Sequence, residues 1–235
     1  SATAFGEIWF YFEQEINYPI TVLNSDYFDY YDINDYDVII LPNGYYGEIL
    51  GEDKLKELRR WVANGGNLIL MENALRSFVD KEGFNLKKFV SEKEKTAKEK
   101  AEEEKEKVYL KDYDNRERTA VSEVIYGSIF KTRMDPSHPL GFGYRTNLLP
   151  VYKNNNVFLA PSKNAYSTVA QYTKDSHIDG YISENNIVSL RGTLVPATTI
   201  NRSIASIPLI GDLLIGKKAG EGVFGVRFKV KVHQK

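Results

Sequence analysis

Cysteine is missing from all 235 residues. Disulfides, thiolate metal ligands and cysteine-nucleophile mechanisms are excluded at once, although the compartment is left undetermined. Histidine is nearly as scarce, with 3 in the chain. His138, His177 and His233 stand in no H-x-x-E, H-x-H or H-E-x-x-H spacing that would build a metal site. Their neighbours are loop-like, as in Asp135-Pro136-Ser137-His138-Pro139, so turn or surface roles are expected. A net excess of either charge is also lacking: the formal net charge is −1, which supplies no global field to hold nucleic acid or an anionic membrane. Long apolar runs are absent too. The best, Ile204 to Ile215, is broken by Ser206, Pro208, Gly211 and Asp212 and falls short of the roughly 18 residues of a membrane span. Ser1 to Phe5 carry neither a basic nor an apolar signal region, so a secretory signal is expected only upstream. G-x-S-x-G is absent, and Ser77 lacks the flanking glycines of a serine elbow. The pairs Gly141-Phe142-Gly143 and Gly220-Glu221-Gly222 precede no helix signal, which disfavours phosphate cradling.

What is present describes a globular chain: 42% hydrophobic, 13% aromatic and 27% charged residues suffice to bury a core. Glu7 to Ile16 reads as a helix, with Ile8, Phe12 and Ile16 at i, i+4, i+8 and Tyr18-Pro19 as the stop. Pro19 to Leu23 reads as a short strand. Asp37 to Leu41, closed by Pro42-Asn43-Gly44, reads as a strand buried on both faces. Asp53 to Asn64 is the clearest helix, its stripe formed by Leu55, Leu58, Trp61 and Val62, with Gly65 placed to end it in a left-handed conformation. Asn67 to Met71 follows as another buried strand. Helix, strand, strand, helix, strand with short links predicts a parallel α/β sheet covered by helices on both faces. Such a sheet normally opens with a strand, so its first strand is expected to be missing from this chain.

Residues 1–90 thus form an α/β core. From Glu92 to Lys107 nearly every residue is Lys or Glu, and 91–112 reads as a charged insert, helical or disordered, with Glu94/Lys98 and Glu103/Lys107 at helix-supporting spacing. Residues 113–235 continue the domain in a strand-rich texture, with strands predicted at Ser128–Met134, Asn156–Ala160, Ser167–Tyr172 and Ile187–Leu190. The end, Gly222 to Val232, alternates Phe224, Val226, Phe228, Val230 and Val232 with Arg227, Lys229 and Lys231, the pattern of a half-exposed edge strand.

In a parallel α/β sheet, ligands meet the loops at the carboxyl ends of the strands. Those loops are 42–46 and 72–76, which places Asn43, Tyr45, Tyr46, Glu72, Asn73 and Arg76 around any crevice, the tyrosines as contact surface and Glu/Arg as a polar pair. Loop caps and internal hydrogen bonds are the alternative use of the same residues. Tyr27, Tyr30, Tyr31 and Tyr36 offer a contact face for a neighbouring domain.

Two phrases carry a resemblance. Tyr36-Asp37-Val38-Ile39-Ile40-Leu41-Pro42, followed by Leu58-Arg59-Arg60-Trp61-Val62-Ala63-Asn64-Gly65-Gly66-Asn67-Leu68-Ile69, resembles a class I glutamine amidotransferase-like domain, a flavodoxin-like fold. Phe5-Gly6-Glu7-Ile8-Trp9, Tyr18-Pro19-Ile20-Thr21-Val22-Leu23, the charged insert, Asp114-Asn115-Arg116-Glu117-Arg118 and His138-Pro139-Leu140-Gly141-Phe142-Gly143-Tyr144 are similar to the version found at the C-terminal end of bacterial zinc carboxypeptidase-like proteins. The likeness covers Phe5 to Tyr144 well and the remainder thinly.

The resemblance implies an elbow cysteine after Leu68 to Met71, where this chain has Glu72-Asn73-Ala74, so glutaminase activity is expected to be nil. It also implies that zinc, held by two histidines and a glutamate, belongs to a separate upstream peptidase domain, with no cofactor in this chain. The function so implied is a non-catalytic accessory domain of a secreted or periplasmic protein, docked on its peptidase partner or presenting substrate to it. A sheet lacking a strand also predicts self-association. The alternative is a stand-alone small-ligand or peptide-binding module between the Asn43 and Asn73 loops. A third reading pairs Glu72 with His138 as acid and base.

Overall fold

The computed structural model describes residues 2–90, 113–141, 143–163, 167–191 and 193, together with the strands at 197–200, 207–208 and 223–226. Helix α2 (Glu52–Ala63) has the acidic Glu52 and Asp53 in its first turn and Arg60 in its last, which suits the helix dipole. Its Leu55, Leu58, Trp61 and Val62 are buried. Gly65, at φ +118°, ends it as expected. The Gly65 amide donates to Val62 and the Gly66 amide to Trp61, the paired bonds of a Schellman close.

Strands β1 (Thr21–Leu23), β2 (Val38–Leu41) and β3 (Asn67–Met71) follow the predicted order. β2 and β3 pair in parallel, Val38 against Asn67 through Leu41 against Leu70. The expected burial on both faces holds: all four β2 residues are buried. Ile39 and Leu41 join Leu68, Leu70 and the α2 stripe in one core, while Val38 and Ile40 face Ile8 of α1 (Ala2–Phe10) on the other side. Helices therefore cover both faces.

The sheet is mixed rather than wholly parallel. Strands β7 (Ala197–Ile200), β8 (Ile207–Pro208) and β9 (Val223–Val226) complete the order β1-β9-β2-β3-β7-β8, and every pairing except β2/β3 is antiparallel. Since β9 runs against both β1 and β2, β1, β2 and β3 share one direction. β9 thus lies between β1 and β2. This corrects the edge-strand reading of the C-terminal segment for 223–226: β9 pairs on both sides, because β1 and β2 each present an edge that needs a partner. Residues 227–232 and the charged insert lie outside the described residues.

A second, three-stranded antiparallel sheet, β5-β4-β6, is built from β4 (Ser128–Met134), β5 (Leu148–Lys153) and β6 (Ala170–Gly180). Its inward residues alternate: Phe130 and Met134 from β4 and Leu149 and Val151 from β5 join Tyr172 and Leu190 in a second core. Ser128 and Thr132 also point inward, satisfied through their hydroxyls on the Tyr181 and Leu149 carbonyls.

Three further expectations are corrected. The first helix begins at Ala2, and its end passes into a π-helical turn over Tyr11–Glu15. The wider turn slips the i, i+4, i+8 stripe, and Ile16 is left exposed. Residues 156–160 form no strand; they make a single bridge, Lys88 to Leu159, that inserts Val157 and Leu159 into the first core. Ile187–Leu190 belongs to a helix, α4 (Glu184–Leu190), capped by Ser183, after the short α3 (Arg116–Ser122). The Ser183 and Asn186 side chains both donate to the Ser122 carbonyl, a tertiary contact that outweighs the apolar run.

Half-buried Glu7 has its carboxyl held above the usual range by burial. A folded pKa above the unfolded one means a contribution present at low pH and lost as pH rises through the folded value. Glu7→Gln is therefore expected to melt above the parent protein at pH 7 and level with it below about pH 4, the ordinary carboxyl range; thermal melts at the two pH values check this.

Candidate functional site

Because β2 and β3 are parallel and in register, their carboxyl ends open side by side. The chain leaves β2 through Pro42 and β3 through Glu72, and side chains tie the two exits together. Asn43 Oδ1 accepts hydrogen bonds from the Asn73 backbone amide at 3.3 Å and from its Nδ2 at 3.0 Å. Asn73 Oδ1 in turn accepts from Arg76 Nε at 2.8 Å. The result is a chain of three side chains that fixes the guanidinium above the strand ends.

Glu72 is the strained point. It holds φ +50° at the junction between β3 and a 3₁₀ helix, Glu72–Ser77, and is buried. A non-glycine residue there costs on the order of 1–3 kcal/mol of backbone strain and persists only where the surroundings enforce it. The turn from β3 into the 3₁₀ helix thus carries a carboxylate on left-handed backbone.

The two tyrosines part company. Tyr45 is 80% exposed, whereas Tyr46 is 6% exposed, its hydroxyl donating to the Pro42 carbonyl at 3.0 Å. Burial pushes the Tyr46 phenol far above its ordinary value, so it stays neutral and serves to fasten its own loop. Tyr45 supplies contact surface.

Above these loops lies an open cleft of about 580 Å³. Its lining includes Tyr45, Tyr46, Glu48, Asn73, Arg76 and Lys81, so four of the six residues expected around a crevice line it together. Asn43 braces it through Asn73, and Glu72 forms the turn beneath. Lys81 went unnoticed in the sequence, since the tertiary path after the 3₁₀ helix brings it there. Arg76 also borders a smaller cleft of about 200 Å³ that includes Lys88, Asn156 and Phe158.

Among the described residues, neither His138 nor His177 makes a hydrogen bond to this site. His138 Nδ1 accepts from the Leu140 amide at 3.1 Å in its turn, and His177 Nε2 lies 2.7 Å from the Gly180 carbonyl. His233 lies outside the described residues. Among the described residues no group of three or more His, Asp or Glu side chains is arranged to hold a metal ion, and no helix is long and apolar enough to cross a membrane. Of the tyrosine-rich opening, Tyr27 and Tyr30 are exposed with rings 6.2 Å apart, while Tyr31 and Tyr36 pack against the first core.

Lys153, another residue passed over in the sequence, is fully buried at the end of β5. Its ammonium donates to Asn155 Oδ1 at 2.6 Å and to the Val157 carbonyl at 2.9 Å and lies 5.1 Å from the Phe158 ring centre. The alternation Leu149, Val151, Lys153 was the signal that places it inward. It fastens the segment that carries Val157 into the first core and bounds the smaller cleft.

No protein-family model, no curated protein and no solved structure matches the chain.

Proposed function

We propose that this chain is a non-catalytic, amidotransferase-like domain that binds a small ligand or peptide and serves as an accessory module of a secreted or periplasmic zinc carboxypeptidase-like protein. The observation that carries this reading is the turn after β3. It has the strained backbone of an elbow, yet the residue at that position is Glu72, and the chain offers no thiol to form a glutamyl thioester. The common direction of β1, β2 and β3 supports a flavodoxin-like ancestry. Above the turn, the Asn43–Asn73–Arg76 network keeps a ligand-sized cleft open. Docking to the peptidase domain, or presenting substrate to it, follows from the resemblance. The cleft equally serves a stand-alone binding module.

The test takes the whole chain. Glutamine is incubated with it and ammonia release is measured, and short peptides are titrated while backbone amide resonances are followed. No ammonia, with peptide-dependent shifts at Tyr45, Asn73 and Arg76, is the expected result. Ammonia release above a heat-denatured control would overturn the non-catalytic reading, and peptides that move no cleft resonance at millimolar concentration would overturn the binding one.

A further inference from the structure

Some cations of the described surface are ion-paired, and others, Arg60, Lys131 and Arg133 among them as well as those at the cleft, are not. Lys54 pairs with Asp29 and Glu57, Lys56 with Asp53, Arg59 with Glu82, and Lys87 with Asp80. Arg76, Lys81 and Lys88, which line the two adjoining clefts, make no ion pair among the described residues. Arg76 is held besides: its Nε is spent on Asn73 at 2.8 Å, and Asn73 is braced by Asn43. That bond fixes the plane of the guanidinium and leaves its two terminal nitrogens to a ligand. A cation already ordered by the protein loses less rotamer freedom when it binds, which is the physical meaning of a prepared site.

We infer that the Arg76 guanidinium is a carboxylate-recognition site, taking the terminal carboxylate of a peptide-like ligand whose body lies in the larger cleft against Tyr45; this rests on the reading of that cleft as a binding site. Two parallel N–H···O bonds from a guanidinium match a planar carboxylate. Lys81 adds a second positive charge on the same wall. Glu48, which lines the cleft as well, disfavours a dianion, so a singly charged carboxylate suits the site better than a phosphate group. The cleft volume of about 580 Å³ accommodates a few residues of peptide, and the 80% exposed Tyr45 ring offers them an apolar surface.

The experiment compares one tripeptide as its acid and as its C-terminal amide, titrated into the parent chain and into Arg76→Gln by calorimetry, with inorganic phosphate and acetate as competitors. The acid is expected to bind about tenfold or more tighter than the amide, as a charge-assisted pair warrants. Arg76→Gln, at an exposed position, is expected to fold normally by circular dichroism and to bring the acid down to the affinity of the amide. Acetate is expected to displace the acid at lower concentration than phosphate does. Equal binding of acid and amide to the parent would overturn the carboxylate site while leaving the cleft as a binding site. An acid preference that survives in Arg76→Gln would overturn the role of Arg76, and better competition by phosphate would overturn the ligand class. Absence of binding by either peptide would sink the cleft reading itself.

Discussion

Ending the chain at Gly220 is expected to abolish cooperative unfolding and to drive the protein into large self-associated species. Among the described residues β9 alone pairs with β1, Thr21 to Gly225 through Leu23 to Val223, and it pairs again with β2, Val38 to Val226 through Ile40 to Phe224. Without it β1 has no described sheet partner, and β2 loses one of its two. β2 is buried along its whole length, so losing β9 strips the amides and carbonyls on that side of their strand partners and bares the apolar surface beside them. Each backbone hydrogen bond lost costs about 0.5–1.5 kcal/mol net, and several of them equal much of the 5–15 kcal/mol that holds a typical domain together. The open slot is also an exposed sheet edge, which pairs with other chains. Circular dichroism melts and light scattering on the truncated protein would show both effects. A synthetic peptide spanning residues 221–232 is expected to restore the transition by adding a strand in trans. An unchanged melt after truncation would mean that β9 does not close the sheet.

Trp61→Ala is expected to cost about 3–5 kcal/mol, the range for deleting a large buried aromatic side chain. Trp61 is 4% exposed and belongs to the core between α2 and the sheet. Its indole Nε1 donates to the Tyr36 carbonyl at 3.1 Å, so the substitution also removes a hydrogen bond to a carbonyl just ahead of β2. The indole lies directly on Gly66: a Cβ built there would be 2.3 Å from Trp61 Cε2 and 2.4 Å from Cδ2. Gly66→Ala is therefore expected to destabilise by about 1–3 kcal/mol through overpacking. Because both changes act on one space, the double variant is expected to be more stable than the sum of the single losses predicts. Urea unfolding of the four proteins gives the coupling, and strict additivity would contradict the contact.

This pair shows how far local reading reached. The α2 stripe, the glycine close and the β3 run are consecutive, and each is dictated by bonds or contacts spanning a few residues. Predicted and observed limits of β3 coincide, and those of α2 differ by one residue at each end. That the six candidate residues stand at the strand ends was legible for the same reason, and four of them line the cleft. What could not be read from spacing was their division of labour. Tyr45 and Tyr46 are neighbours of one type, yet one is exposed and the other is tied to Pro42.

The failures share a cause. Residues 156–160 and 187–190 are short apolar runs, compatible with strand, helix or plain insertion into a core, and partners distant in sequence made the choice: Lys87 and Phe89 for the first, Ser122 for the second. The C-terminal alternation likewise told that a strand was there, as the structure describes for 223–226. It carried no information about neighbours, and an edge was inferred from its lysines.

By itself the sequence determined that this chain carries no thiol, the elements of its first sheet that are set by local periodicity, and the residues standing at the strand ends. Tertiary structure alone decided that β9 enters between β1 and β2, that Lys81 joins Arg76 at the cleft, and that Lys153 is buried beside Phe158. Periodicity records which side of an element is buried, whereas the partner that buries it is chosen by long-range pairing and packing, which no local pattern encodes.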